Sequence, residues 1–69
     1  MGINIEELEK EMKNAGLKKG EIAKRLNIDE STLYRKLKDG GKKITVGEVH
    51  ELIAIMGLTP ARASEIFLF

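Results

Sequence analysis

The stretch KGEIAKRLNIDESTLYRKLK, Lys19–Lys38, predicts two short helices joined by a tight turn. Ile22, Ala23 and Leu26 lie on one stripe at helical spacing, which predicts a first helix that begins near the start of the stretch. The small side chain of Ala23 leaves room for a second helix to cross close by. The stripe therefore indicates a helix that buries one face against a neighbour.

The residues that follow predict a turn and the start of the second helix. Asn27 ends the apolar stripe, and asparagine is one of the few residues other than glycine that tolerate a left-handed conformation. Asp29 is a good N-cap because its carboxylate can accept hydrogen bonds from the first free amides of a helix. Leu33 and Leu37 lie one turn apart, so the second helix is expected to pack on the first through them.

The second helix is expected to turn a polar face outward. That face mixes hydrogen-bonding and charged side chains and consists of Glu30, Ser31, Tyr34, Arg35 and Lys38. Two crossing helices of which the second carries such a face are typical of a helix-turn-helix, whose second helix lies in the major groove of DNA. The other interpretation is an ordinary helix pair with a solvated face. The joint spacing of small residue, turn residue and cap favours the helix-turn-helix.

Charge is distributed unevenly along a chain whose net charge is only +1. Residues 18–43 contain nine basic and four acidic side chains. Residues 1–17 contain two basic and four acidic side chains, and residues 44–69 contain one and three. A basic central block between acidic flanks attracts a polyanion through counterion release, with an affinity that falls as salt rises.

Length and composition limit the remaining classes. The 69 residues predict a single domain over 1–69, near the lower size limit for a core that folds unaided. The absence of cysteine excludes disulfides and thiolate metal sites and suits a reducing cytosol. We expect no membrane span, no signal peptide, no metal and no cofactor. His50 is the sole histidine, and no carboxylate pair or glycine-rich phosphate loop accompanies it, so an enzyme is not expected.

Two more apolar stripes at helical spacing, and a cap followed by proline that starts a further helix, predict an all-α, compact five-helix bundle around the central pair. The residues expected to begin or end these helices are Asn4 and Gly16 for the first, Thr45 and Gly57 for the fourth, and Thr59 followed by Pro60 for the fifth. The polar face of the first helix, which includes Glu9, is expected to be solvated.

Two segments leave alternatives open. In the loop after the second helix, Lys42 and Lys43 either reach a DNA phosphate or only add to solubility. At the end of the chain, a core this small does not easily bury four apolar residues in a row. The tail either covers the first helix or forms a self-association surface, and as a candidate dimer interface it comprises Ile66, Phe67, Leu68 and Phe69.

The central stretch resembles the phage-repressor (Cro-like, XRE-type) helix-turn-helix family of bacterial and phage transcriptional regulators. The similarity runs from Leu17 through EIAKRLNIDESTLYRKL to Leu37, and the string KKITVGEVHELIAIMGLTP over 42–60 resembles the family's fourth helix and the start of its fifth. The resemblance implies a lambda-repressor-like domain that binds operator DNA, commonly as a homodimer on a palindrome. It also implies a cytoplasmic, nucleoid-associated protein of a bacterial cell. The length leaves no room for a ligand-sensing domain, so no small-molecule ligand is expected.

The resemblance further implies roles for single residues. The side chains expected to read bases are Glu30, Ser31, Tyr34 and Arg35. The side chains expected to contact DNA phosphates are Lys19, Thr32, Lys38, Lys42 and Lys43. Lys36 departs from the family, which often has an apolar residue there. The alternative function is an antitoxin or another protein-interaction module of the same fold, for which the apolar tail is the candidate partner surface.

Overall fold

The computed structural model describes residues 2–68, and of Leu68 only the backbone. Two short terminal strands pair antiparallel, β1 (Gly2–Ile3) with β2 (Phe67–Leu68). Between them lie five helices: α1 (Ile5–Asn14), α2 (Lys19–Arg25), α3 (Glu30–Lys38), α4 (Val46–Met56) and α5 (Pro60–Ile66). The prediction of a compact, mostly helical chain with five helices is confirmed. The strand pair was not predicted.

Most helix boundaries fall at the predicted residues. The side chains of Asn4, Thr45 and Thr59 each accept a hydrogen bond from the backbone amide three residues further on, at 3.1 to 3.2 Å. Asn27 (φ 59°) and Gly57 (φ 62°) adopt the left-handed conformation that ends their helices. Among residues 2–68, no helix combines the length and the apolar character that crossing a bilayer requires.

A short turn joins α2 to α3, and the two helices pack closely against each other. Ile22 and Ala23 of α2 and Leu33 of α3 are almost completely buried in this contact region. Asp29 is the N-cap residue of α3, but its side chain makes no capping hydrogen bond, so the predicted carboxylate cap is wrong. Backbone bonds close the turn instead, with the amide of Ile28 donating to the carbonyl of Ala23 at 3.0 Å.

The first two residues of the apolar tail are part of the core, which corrects the predicted dimer interface at Ile66 and Phe67. Ile66 and Phe67 are both 0% exposed, so neither offers a surface to a second copy. The alternative was that the tail covers the first helix, and these two residues share one buried cluster with Leu8 and Met12 of that helix. Leu68 lies in β2 with its side chain undescribed, and Phe69 lies outside the described residues.

Pairing of β1 with β2 explains why Ile66 and Phe67 are buried. Phe67 lies opposite Ile3 in the antiparallel register, and the amide of Asn4 donates to the carbonyl of Ile66 at 2.7 Å. These backbone bonds satisfy polar groups that would otherwise be buried without partners. The last turn of α5 and the following strand can therefore enter the core together.

Ionic contacts join α5 to α1. The guanidinium of Arg62 donates to a carboxylate oxygen of Glu7 at 2.8 Å and to one of Glu11 at 2.9 Å. Two hydrogen bonds lower the pKa of Glu7, and the one from Arg62 contributes more than the one from Lys10. This part of the first helix's polar face is therefore paired, whereas the sequence predicts a solvated face.

A more buried ion pair joins α3 to α4. The ammonium Nζ of Lys36 lies 2.8 Å from both carboxylate oxygens of Glu48, and the two side chains are 19% and 14% exposed. Glu48 also accepts from the backbone amide of Thr45 at 2.9 Å. Burial alone would raise the pKa of Glu48, but the hydrogen bonds from Lys36 and from the Thr45 amide outweigh it and lower that pKa.

We expect Glu48→Gln to reduce the free energy of unfolding by about 1–3 kcal/mol at pH 7, because it removes the ion pair and leaves Lys36 poorly compensated. A lowered folded-state pKa means that the ionised carboxylate stabilises the fold above its unfolded pKa, and that this contribution is lost as the pH falls through the folded pKa. Urea unfolding followed by circular dichroism at several pH values measures the difference between variant and wild type, which should shrink below about pH 4.

Glu51→Gln on the same helix is the matched control. Glu51 is exposed, so its replacement should change stability by no more than about 0.5 kcal/mol at any pH. A Glu48→Gln deficit that stays constant from neutral to acid pH would show that the carboxylate charge contributes nothing.

Candidate nucleic-acid interface

The outer face of α3 is the centre of the candidate interface. Leu33 and Leu37 are buried one turn apart and fix the orientation of the helix. The opposite side carries exposed side chains that include Lys38, and four of them we call the reading face: Glu30, Ser31, Tyr34 and Arg35. Tyr34 is 54% exposed, one of the largest apolar surfaces that the described residues offer to solvent. Ile66 and Phe67 lie in the core and therefore do not cover this strip.

Two members of the reading face contact neighbouring groups, Arg35 within α3 and Glu30 across to α2. The guanidinium Nη2 of Arg35 donates to the hydroxyl of Thr32, one turn back, in a long hydrogen bond of 3.4 Å. The carboxylate of Glu30 lies against the backbone of α2, where a Cβ atom added to Gly20 would be only 3.0 Å from its Oε1. Glu30 therefore stands at the α2 side of the face, and a side chain at position 20 would displace it.

Two lysines flank the ring of Tyr34. The ammonium of Lys19 lies 5.4 Å from the ring centroid and that of Lys38 lies 5.9 Å from it, both within cation–π range. These three residues line a cleft of about 330 Å³ together with Ile5, Glu9 and Leu37. Two predicted phosphate ligands from separate helices thus meet at one side of the reading face.

A second basic cleft, of about 240 Å³, lies where α3 meets the following loop. Thr32, Arg35 and Lys43 contribute to its lining together with Lys36 and Asp39. Here a predicted base reader stands beside two predicted phosphate ligands, while the ammonium of Lys36 is already bound to α4.

At Gly41 the loop between α3 and α4 packs closely against the N-terminal segment. This residue is buried with φ +79°, and a Cβ atom there would lie 3.1 Å from the Cδ1 atoms of both Ile3 and Ile5. Lys42 and Lys43 follow directly and are exposed. The N-terminal segment therefore supports the loop that carries the two lysines. Lys42 lines neither of the two clefts described above.

Three residues of this region were missed by sequence reasoning. Glu9 was taken as solvated but lies in the first cleft, with its Oε1 3.1 Å from the Nζ of Lys19. Gly20 and Gly41 matter because neighbouring side chains approach their backbones closely. Nothing in the linear sequence pairs Glu9 with Lys19. The two glycines do leave a signal, because a glycine within a helix or in a lysine-rich loop can indicate a close approach to the backbone.

Within residues 2–68, no group of three or more His, Asp or Glu side chains is arranged to hold a metal ion. Comparison of the chain with protein-family models, with curated proteins and with solved structures gives no match.

Proposed function

We propose that this protein is a sequence-specific, double-stranded DNA-binding transcriptional regulator, a small phage- or prophage-type (Cro-like) repressor. In this proposal α2 and α3 form a helix-turn-helix and α3 enters the major groove. The observation that carries it is the reading face: four polar or aromatic side chains are exposed together on α3, while Leu33 and Leu37 hold the opposite side in the core.

Each member of the reading face has a chemical role in this proposal. Arg35 donates two hydrogen bonds to O6 and N7 of a guanine, the commonest specific contact in the major groove. Glu30 accepts from the amino group of a cytosine, and the hydroxyl of Ser31 donates or accepts. Tyr34 reaches a base edge or a thymine methyl group beside them.

Four lysines and one threonine around the reading face hold the DNA backbone in this proposal. They comprise Lys19 and Lys38 at the first cleft, Lys43 and Thr32 at the second, and Lys42 on the loop. Contacts to phosphate fix the register of a protein on the duplex but carry no sequence information directly. These residues therefore supply affinity that depends on salt, and the reading face supplies selectivity.

We propose further that the protein acts in the bacterial cytoplasm as a homodimer, at least on DNA, and that its operator is a palindrome. Two copies of α3 would then lie about 34 Å apart, one turn of DNA. Since Ile66 and Phe67 are buried, the contacts between copies would come from other surfaces.

A protein-interaction module, such as an antitoxin, remains the alternative. Its candidate partner surface was the apolar tail, and burial of Ile66 and Phe67 removes half of that surface. No observation among the described residues favours this alternative over DNA binding. We also propose that the protein binds without catalysing a reaction.

Selection of bound sequences from random DNA duplexes tests the proposed function. We expect an enriched palindrome whose half-site centres are about 10 base pairs apart. The selection is run at two salt concentrations, because a merely basic protein loses its binding as salt rises, whereas a sequence reader enriches the same motif at both. Absence of any enriched motif, together with a protein that copurifies in fixed proportion, would favour the interaction module.

A further inference from the structure

The ammonium of Lys19 is already engaged in the free protein. Its Nζ lies 3.1 Å from Oε1 of Glu9, and the two side chains are 37% and 45% exposed. Lys19 belongs to α2, whereas Glu9 belongs to α1, a helix outside the α2–α3 pair. A carboxylate from a separate helix thus already pairs with one of the lysines that the proposed function assigns to DNA phosphates.

The first cleft around this pair has the character of an anion site. Two ammonium groups, from Lys19 and Lys38, lie near the ring of Tyr34, and the only carboxylate among the cleft's lining residues is that of Glu9. A carboxylate offers an ammonium what a phosphate offers it, a negatively charged oxygen at hydrogen-bond distance. Glu9 therefore makes with Lys19 the same kind of contact that a backbone phosphate would make.

We infer that Glu9 competes with DNA phosphate for Lys19 and so limits the affinity of the protein for any duplex. This inference rests on the proposed function. A phosphate that binds Lys19 displaces Glu9, which then stands unpaired close to a polyanion. Exposed ion pairs are weak, so the displacement costs little, but its cost enters every binding event. Because phosphate contacts are independent of sequence, Glu9 lowers affinity without changing sequence preference.

The opposite role would be that Glu9 holds Lys19 in position for the phosphate. The two roles predict opposite signs for Glu9→Gln, which keeps the shape of the side chain and removes its charge. If Glu9 competes, the variant binds random duplex DNA about two- to fivefold more tightly at low salt. If Glu9 positions Lys19, the variant binds more weakly.

Glu6→Gln is the matched control. Glu6 lies three residues earlier on the same helix, is exposed, and takes part in none of the ion pairs formed within residues 2–68. Glu6→Gln removes the same charge from the same helix, so it measures the gain in affinity that comes from net charge alone. That gain should be less than half of the gain for Glu9→Gln, because only Glu9 pairs with Lys19. Lys19→Gln completes the test, since in that background the two glutamine variants should bind equally.

Fluorescence anisotropy with a random-sequence duplex measures these affinities, and thermal unfolding verifies that each variant is folded. Equal gains for the two variants in the wild-type background would overturn the role of Glu9. So would a gain that persists without Lys19, or a loss on Glu9→Gln. If the wild-type protein binds no duplex at any salt concentration, the proposed function fails as well. If it binds and only the difference between the variants is missing, this inference alone fails.

Discussion

Phe67→Ala is expected to reduce the free energy of unfolding by about 3–5 kcal/mol, the usual cost of removing a fully buried phenylalanine. Phe67 is 0% exposed and is the largest of the fully buried side chains among those that the structure describes. Small domains are stable by only about 5–15 kcal/mol, so the variant should lose a large part of its stability. Urea unfolding followed by circular dichroism measures the loss, and thermal unfolding should show a clearly lower midpoint.

The same substitution separates a core residue from an interface residue. An interface role would predict weaker self-association with little change in monomer stability, which sedimentation velocity at several concentrations would detect. Val46→Ala is the control, since Val46 is apolar but 61% exposed and its truncation should cost no more than about 0.5 kcal/mol. A folded Phe67→Ala protein with wild-type stability and impaired dimerisation would contradict the burial of the tail.

Features with local signals could be predicted from the sequence. The side chain of Thr45 caps the helix that begins one residue later, and Asn27 adopts the left-handed conformation within its own turn. Each of these depends on a few consecutive residues. The same holds for the exposure of Tyr34 and Arg35, because the buried positions Leu33 and Leu37 fix which side of their helix faces solvent.

Features that join distant parts of the chain could not be predicted in this way. Ile3 pairs with Phe67 across nearly the whole sequence, and Arg62 reaches Glu7 over a separation of 55 residues. Short apolar ends carry no period that distinguishes a strand from a surface patch, and a charged residue does not indicate its partner. The buried tail therefore remained one of two alternatives, and the pairing of helix faces was missed.

The candidate site likewise has a part that local signals predict and a part that depends on contacts between distant residues. Its centre, the reading face, depends on the period of one helix and was placed from the sequence. Its surroundings depend on contacts between elements: Glu9 of α1 beside Lys19 of α2, and the N-terminal isoleucines beneath the loop that carries Lys42 and Lys43. The side chains that would choose a sequence can thus be predicted locally, whereas those that set overall affinity require the fold.

Arg35→Ala is expected to weaken binding to the preferred sequence by about 1–3 kcal/mol for each half-site and to relax the preference at one base pair. The reason is the loss of the bidentate guanine contact, which no other side chain of the reading face replaces. Within the part of the chain that the structure describes, the side chain of Arg35 makes only the long 3.4 Å hydrogen bond to Thr32, so the fold should be unaffected. Titration of the preferred duplex and of its single-base variants measures both effects.

Two control variants identify the cause of an Arg35→Ala loss. Arg35→Lys keeps the charge but lacks the planar fork, so it should retain affinity for random DNA and still lose the base preference. Lys42→Ala should weaken all duplexes alike and reduce the slope of log affinity against log salt by about 1. If Arg35→Ala lowers binding to every sequence equally, as a phosphate ligand would, then Arg35 does not read a base and the selectivity of the proposed regulator must come from another part of α3.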